Sequence, residues 1–317
     1  MVKSNTTLKA SKKSVLARFL NQWQIQVFAL AGIIYLIIFS YLPMFGITIA
    51  FKSYKLTSGL AGIFTSKWVG LKYFKEFVTD YRFGELVRNT LAISTLKMFF
   101  AFPVPILLAI MISEVRNPKF KRIVQTISYL PNFISWVLVY AIAFAIFSTD
   151  GFINSFLRNV CGVTGANTDY LASADWIWVK MLLWGTWKGL GWSAIVYIAG
   201  IAGIDQQLYE AAKVDGANRF HCIRHITIPG LIPTYMVMLL MSIAGMLSNG
   251  MEQYLVFENA INKDVIEVLD LYVYNIGIKS GLIPLSTVVG IFKSLIGVTL
   301  LFGANGISKA VRGESII

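Results

Sequence analysis

Six apolar stretches, each long enough to cross a bilayer, govern what this chain can become. They lie at about 24–50, 89–113, 123–148, 176–203, 230–249 and 285–308. A helix needs about 20 predominantly apolar residues to traverse the hydrocarbon core. The pattern predicts an all-α integral membrane protein with six transmembrane helices. Composition points the same way: 56% of residues are hydrophobic and 14% charged, where a soluble domain carries about 25% charged residues. Mean hydropathy is +0.65. Pro43, Pro103, Pro105 and Pro131 fall within or near the ends of these stretches, so kinks are expected.

The formal net charge of +12 would suggest nucleic-acid binding in a soluble protein. In a membrane protein it is the signature of basic cytoplasmic loops. Lys3, Lys9, Lys12, Lys13 and Arg18 precede the first apolar run, and Arg116, Lys119, Lys121 and Arg122 follow the second. Lys213, Arg219 and Arg224 follow the fourth, and Lys309 and Arg312 the sixth. The loops 149–175 and 250–284 are poor in such residues. This places both termini in the cytoplasm. Segment 52–88 disagrees, carrying Lys52, Lys55, Lys67, Lys72, Lys75, Arg82 and Arg88. With an even number of spans it falls outside, as a helix lying on the membrane surface.

The N-terminal apolar run exceeds a usual signal-peptide core and no A-x-A-type cleavage site follows it, so it reads as an uncleaved first span. Residues 1–22 form a basic cytoplasmic tail and 23–317 one transmembrane domain, including segment 52–88 and the loop 204–230. Cys161 and Cys222 fall on opposite sides of the membrane, so no disulfide is expected.

The most informative loop runs from Ala202 to Pro233, AGIDQQLYEAAKVDGANRFHCIRHITIPGLIP. Gln206–Val214 has a helical pattern and Asp205 is placed to cap it. Gly216 sits where the chain must turn, since glycine accepts positive φ without a Cβ clash. A second short helix over 218–225 is expected to end at Pro229. The product is a helix–turn–helix presenting Ala211, Ala212, Gly216 and Ala217 beside one large aromatic, Phe220. Small residues allow close backbone approach, and an aromatic can fill a partner's pocket. An amphipathic linker between two spans fits the same physics.

Glu210-Ala211-Ala212, three residues, Gly216, nine residues, then Ile226-Thr227-Ile228-Pro229 resembles the EAA loop of bacterial ABC importer permeases. The one departure is Ile228, where leucine is usual. Tyr41-Leu42-Pro43-Met44-Phe45-Gly46, Trp68-Val69-Gly70-Leu71, Gln125-Thr126-Ile127-Ser128-Tyr129-Leu130-Pro131 and Trp187-Lys188-Gly189-Leu190-Gly191-Trp192 resemble the LplB-like oligosaccharide and polysaccharide group, similar to the maltose permease subunits. The resemblance implies the MetI-like permease fold in the bacterial plasma membrane. It implies four kinds of partner: a second permease, making a heterodimer; two ATPase subunits, which hold the ATP and Mg; an extracytoplasmic sugar-binding (lipo)protein; and the lipid bilayer. By the same resemblance Glu210 and Gly216 shape the coupling helix, Ala211, Ala212, Ala217 and Phe220 meet the ATPase, and Pro229 closes the motif. The chain has no G-x-x-x-x-G-K-[ST] phosphate loop and binds no cofactor by this reading; it is not an enzyme.

Lys188 lies about 12 residues, or roughly 18 Å, into the fourth helix, where an ionisable group is functional by default. It either meets substrate hydroxyls or a uronate carboxylate, or it bonds backbone carbonyls. Lys97 and Lys293 raise the same question. Trp184 and Trp187 on helix four, with Trp136 and Tyr140 on helix three, either stack on sugar faces or pack. Asn249, Glu252 and Gln253 either contact sugar or satisfy a helix end. His221 and His225 have the i, i+4 spacing of zinc ligands but lack a completing carboxylate, and no metal site is expected. A secondary transporter would show acidic groups within its spans, and none is present there.

Overall fold

The computed structural model describes residues 22–165 and 167–312. The expected basic tail, 1–22, thus lies outside the described residues up to residue 21. Five helical spans are long and apolar enough to cross a membrane. They are α1 (Trp23–Phe51), α3 (Phe83–Ser113), the Trp136–Asn159 segment, α9 (Arg219–Ala244) and α12 (Ile283–Arg312). The third comprises α5 (Trp136–Phe147) and α6 (Phe152–Asn159). A sixth span, α7 (Ile177–Ala202), qualifies together with α8 (Gln206–Val214), from which it is bent by 67°. Shorter helices are α2 (Lys72–Thr79), α4 (Pro118–Tyr129), α10 (Glu252–Phe257) and α11 (Leu269–Tyr274). Among the described residues there is no β-strand, only one isolated bridge between Lys52 and Trp68.

Three of the prolines, Pro43, Pro103 and Pro229, are absorbed by one repeated device. A proline cannot donate to the carbonyl four residues back, and its ring crowds that carbonyl. In α1, α3 and α9 a π turn stands immediately ahead, at Ile37–Tyr41 before Pro43, Lys97–Ala101 before Pro103 and Ile223–Thr227 before Pro229. In each case the residue preceding the proline donates five residues back: Leu42 to Ile37, Phe102 to Lys97, Ile228 to Ile223. Widening by one residue moves the crowded carbonyl away while the ladder continues.

Two expected boundaries are corrected. The third span does not begin at 123. Residues 118–129 form α4, a separate amphipathic helix, followed by a 3-10 turn at Leu130–Phe133 containing Pro131. Ser135 then caps α5, its hydroxyl accepting from the Leu138 amide at 3.4 Å. Nor does Pro229 end a short helix. The segment from Arg219 runs through it into the membrane span as α9, because the π turn removes the need to break.

Segment 52–88 is a folded cap that packs on the chain. Phe77 of α2 is buried against Phe83 and Phe292, and Tyr272 lies beside it. Trp68 stacks on Phe51 at 5.4 Å. Its basic residues are partly consumed internally: Lys52 Nζ donates to the Ile63 carbonyl (2.7 Å), and Arg82 pairs with Glu267 at 3.3 Å over the Tyr272 ring. Burial works against the Arg82 charge, but Glu267 and Tyr272 outweigh it and hold its pKa above the ordinary value. This cap therefore shares one end of the bundle with 258–282, while 114–117 and 204–222 meet around a depression at the other end.

The core is concentrated in α3, α7, α9 and the segment from Tyr254 to Val289. By contrast, Trp23–Leu36 of α1 has no buried residue. Two sequence motifs meet where α4 crosses α7. A Cβ on Gly191 would run into the Ser128 carbonyl and stand 2.8 Å from the Tyr129 amide nitrogen, whereas one on Gly189 would meet nothing within 4 Å. Gly191→Ala is therefore expected to lose about 1–3 kcal/mol by overpacking, with Gly189→Ala near wild type. Thermal unfolding of the purified proteins in detergent checks this; equal melting of Gly191→Ala and wild type would remove the contact from the account.

Candidate functional site

Two places concentrate the polar chemistry: the loop around α8 and a cavity midway along the bundle. The loop is built from local rules. Asp205 caps α8, its Oδ1 accepting from the Gln207 amide at 2.9 Å. At the other end the Ala217 amide donates to the Ala212 carbonyl (2.8 Å) and the Gly216 amide to the Lys213 carbonyl (3.1 Å). Gly216 has φ +79°. This is a Schellman cap, with its left-handed position filled by the one residue without a Cβ penalty. Asn218 then caps α9, accepting from the His221 amide at 2.9 Å. The E-A-A-x-x-x-G spacing is thus the geometry of a helix terminus.

α8 is not hung loosely from its neighbours. Tyr209 Oη and the buried Thr227 Oγ1 hydrogen-bond at 2.9 Å, tying α8 to the π turn of α9. Glu210, Ala211, Gly216 and Pro229 are exposed, and Ala212 and Ala217 half-buried. Phe220 is 68% exposed and Val214 88%. Both large apolar side chains thus stand in the open on either side of the Gly216 turn. The His221 and His225 rings stack at 5.9 Å, with Nδ1 of each engaged locally, by Asn218 Oδ1 and the His221 carbonyl. Among the described residues no group of three metal-ligating side chains gathers.

The cavity has a volume of about 350 Å³ and is bounded by α3, α5, α7, α9 and the segment after α9. Lys97, Trp136, Thr186, Tyr197, Asn249 and Gln253 bring it its polar and aromatic groups. Lys97 Nζ donates to Asn249 Oδ1 (3.0 Å) and to Tyr254 Oη (3.2 Å). The Asn249 amide group in turn donates to Ser94 Oγ (2.7 Å) and the Thr90 carbonyl (3.3 Å). Behind it, Asp270 Oδ2 accepts from the backbone amides of Asn249 (2.6 Å) and Gly250 (3.0 Å), and Oδ1 pairs with Lys293. Gly250, at φ +80°, lets the chain turn over that carboxylate. Five segments are joined: α3, the turn after α9, α10, α11 and α12.

The expected pathway residues are distributed unevenly around this cavity. Trp136 and Asn249 line it. Lys188 does not; its Nζ donates to the Asn132 carbonyl at 2.7 Å and stands over the Trp136 ring at 5.5 Å. Trp184 and Trp187 meet edge to face (5.8 Å) beside a separate, mostly apolar depression of about 510 Å³ with Phe147 and Tyr170. Tyr140 packs edge-on against Phe257 at 5.2 Å. Glu252 is exposed at the start of α10, while Gln253 is buried and donates to the Met181 carbonyl at 2.7 Å. Sequence reasoning missed Thr186, Tyr197 and Asp270. The available signal was the lone acid within V-L-D-L-Y-V-Y (268–274), an apolar context in which a carboxylate needs a partner.

The sequence profile of the family described as "Binding-protein-dependent transport system inner membrane component" matches residues 101–313. Protein LplB of Bacillus subtilis is 42% identical over 286 residues, 90% of this chain and 88% of that protein. The polygalacturonan/rhamnogalacturonan transport system permease protein YteP of the same organism is 39% identical over 308 residues, 97% and 94% of the two chains. A chain in the crystal structure of a bacterial ABC transporter involved in import of the acidic polysaccharide alginate superposes with a TM-score of 0.82 at 30% identity, covering 95% of this chain and 100% of that one. A second structure holds that transporter with an alginate pentasaccharide-bound periplasmic protein, again at TM-score 0.82.

The Asp270–Lys293 pair is enclosed, with side chains 19% and 13% exposed. Removing one partner of such a pair strands the other charge. Asp270→Asn is expected to cost about 3 kcal/mol, and Asp270→Leu combined with Lys293→Met markedly less than the single change. Denaturant unfolding in detergent provides the comparison; a double mutant no better than Asp270→Asn would break the pairing argument.

Proposed function

The chain belongs to the family of binding-protein-dependent transport system inner membrane components, and from that premise we propose that it is the permease subunit through which an oligosaccharide passes from an extracytoplasmic binding protein to the cytoplasm, driven by a separate ATPase that acts on the loop 204–229. It is a multi-pass protein of the bacterial inner membrane. The oligosaccharide cargo follows from the polysaccharides named for YteP and for the alginate transporter.

The observation that carries the coupling role is mechanical. α8 leaves α7 through a turn of only three residues and is bonded to α9 by Tyr209 and Thr227. Both α7 and α9 line the cavity, through Thr186 and Tyr197 and through Ser242. A force on the exposed knob of Ala211, Gly216, Ala217 and Phe220 is therefore delivered to two cavity walls. Glu210 stands exposed on the same helix, available to a basic partner group. The Schellman cap keeps the knob from unwinding under load. ATP and Mg belong to the partner ATPases, whose closure on the knob turns the cavity outward.

The sidedness follows from charge. The basic loops 114–122 and 204–229 gather at one end, where Arg116, Lys213 and Arg219 surround a depression. Basic short loops stay in the cytoplasm, so the ATPases dock there. The binding protein then docks over the cap of 52–88 and 258–282 at the opposite end. The unburied face of α1 is left for lipid and for a second permease in a heterodimer.

Replacing Gly216 by arginine forces a side chain into positive φ, a cost of about 1–2 kcal/mol, and puts bulk and charge on the knob. The double variant Ala212→Arg/Gly216→Arg is expected to insert and to keep its permease partner but to lose the ATPase on co-purification from detergent. Full retention of the ATPase would rule out residues 206–225 as its docking surface.

A further inference from the structure

The cavity carries an electrostatic imbalance. Two lysines, Lys97 and Lys293, stand about one carboxylate, Asp270. That carboxylate is committed to Lys293 on one oxygen and to two backbone amides on the other. Lys97 has only neutral partners, Asn249 Oδ1 and Tyr254 Oη. Among the described residues the ion pairs are Arg82–Glu267, Arg158–Asp150 and Lys293–Asp270, none of which uses it. Its ammonium group has three donors, two of them spent, and the residue forms part of the cavity wall. An ammonium that must share one already committed carboxylate with a second lysine in the middle of a span is costly and marks a site.

Two further polar atoms at the wall of the same cavity lack a protein partner. Thr186 Oγ1 and Tyr197 Oη are both buried without a hydrogen-bond partner, on residues that line the wall. Buried hydroxyls are rarely left so. Trp136 adds a half-buried aromatic surface. A cation, two free hydroxyls and a ring fit a sugar that bears a carboxylate, with its hydroxyls facing Thr186 and Tyr197. The Lys97–Ala101 π turn holds this lysine at the wall, and such turns recur at functional positions.

We infer that Lys97 makes the cavity selective for acidic oligosaccharides by donating to a uronate carboxylate as the sugar passes. This rests on the cavity being the sugar pathway. Lys188 is no substitute, since it does not form part of the cavity wall and donates instead to the Asn132 carbonyl.

The complete importer, with its binding protein and ATPase, is reconstituted in proteoliposomes, and uptake of trigalacturonate is compared with uptake of its methyl ester. Lys97→Met should lower the acid-to-ester uptake ratio about tenfold or more, the size of a lost charge-assisted hydrogen bond. Lys97→Arg should restore it. An unchanged ratio in Lys97→Met, with both sugars falling together or neither falling, overturns the inference. If wild type carries the acid alone, the inference requires a tenfold loss in Lys97→Met with recovery in Lys97→Arg, and equal loss in both overturns it. Uptake of the ester but not the acid by wild type overturns it and leaves the importer reading standing; uptake of neither removes both.

Discussion

Inside a bilayer no water is available to a backbone group that loses its partner. The rest of the structure answers to that constraint. Spans must keep their ladders intact past every proline, helix ends that enter the apolar zone must be closed by side chains or tight turns, and any charge must be met by another polar group. The π turns of α1, α3 and α9 answer the first demand at Pro43, Pro103 and Pro229, Ser135 the second at the start of α5, and the group around Asp270 the third.

The Asp270 group also explains how the segment after α9 becomes part of the core. The turn at Asn249–Gly250 would otherwise expose two amides to an apolar environment, and one carboxylate takes both. Tyr254, Leu269 and Leu271 then bury completely beside α3 and α7. A stretch that looks like a connection is thus as deeply embedded as the spans. It ties the cap, through Arg82 and Glu267, to the cavity, through Asn249 and Gln253.

Much of this was legible in the sequence where the cause is local. Span length follows from hydropathy, and the roles of Asp205 and Gly216 follow from capping and backbone sterics. The E-A-A-x-x-x-G spacing reads directly as the helix and left-handed turn found at Gly216. What was not legible depends on neighbours distant in the chain. Lys188 and Lys97 both sit at mid-span; depth along a helix axis can be counted, but the direction around the axis is set by packing, and only Lys97 turns to the cavity. Asp270 is unremarkable until Lys293 and the Asn249 turn are brought to it. The break between α4 and α5 was hidden because Pro131 within an apolar run reads as a kink, whereas Ser135 makes it a new beginning. Of the bases of 52–88, Lys52 is engaged within the cap and Arg82 by Glu267 beyond it, neighbours that the local sequence does not reveal.

The paired π turns and prolines have a consequence for descent. In each of α1, α3 and α9 the proline and the extra residue ahead of it are mechanically paired, so they should be gained and lost together. Losing the proline alone leaves a widened turn with nothing to accommodate, and losing the extra residue alone drives a ring into a carbonyl. A lineage that sheds one is relieved by shedding the other. Sequence comparisons among such chains should therefore admit a single-residue gap inside a membrane-spanning helix, two to six positions ahead of an absent proline, where gaps are ordinarily forbidden.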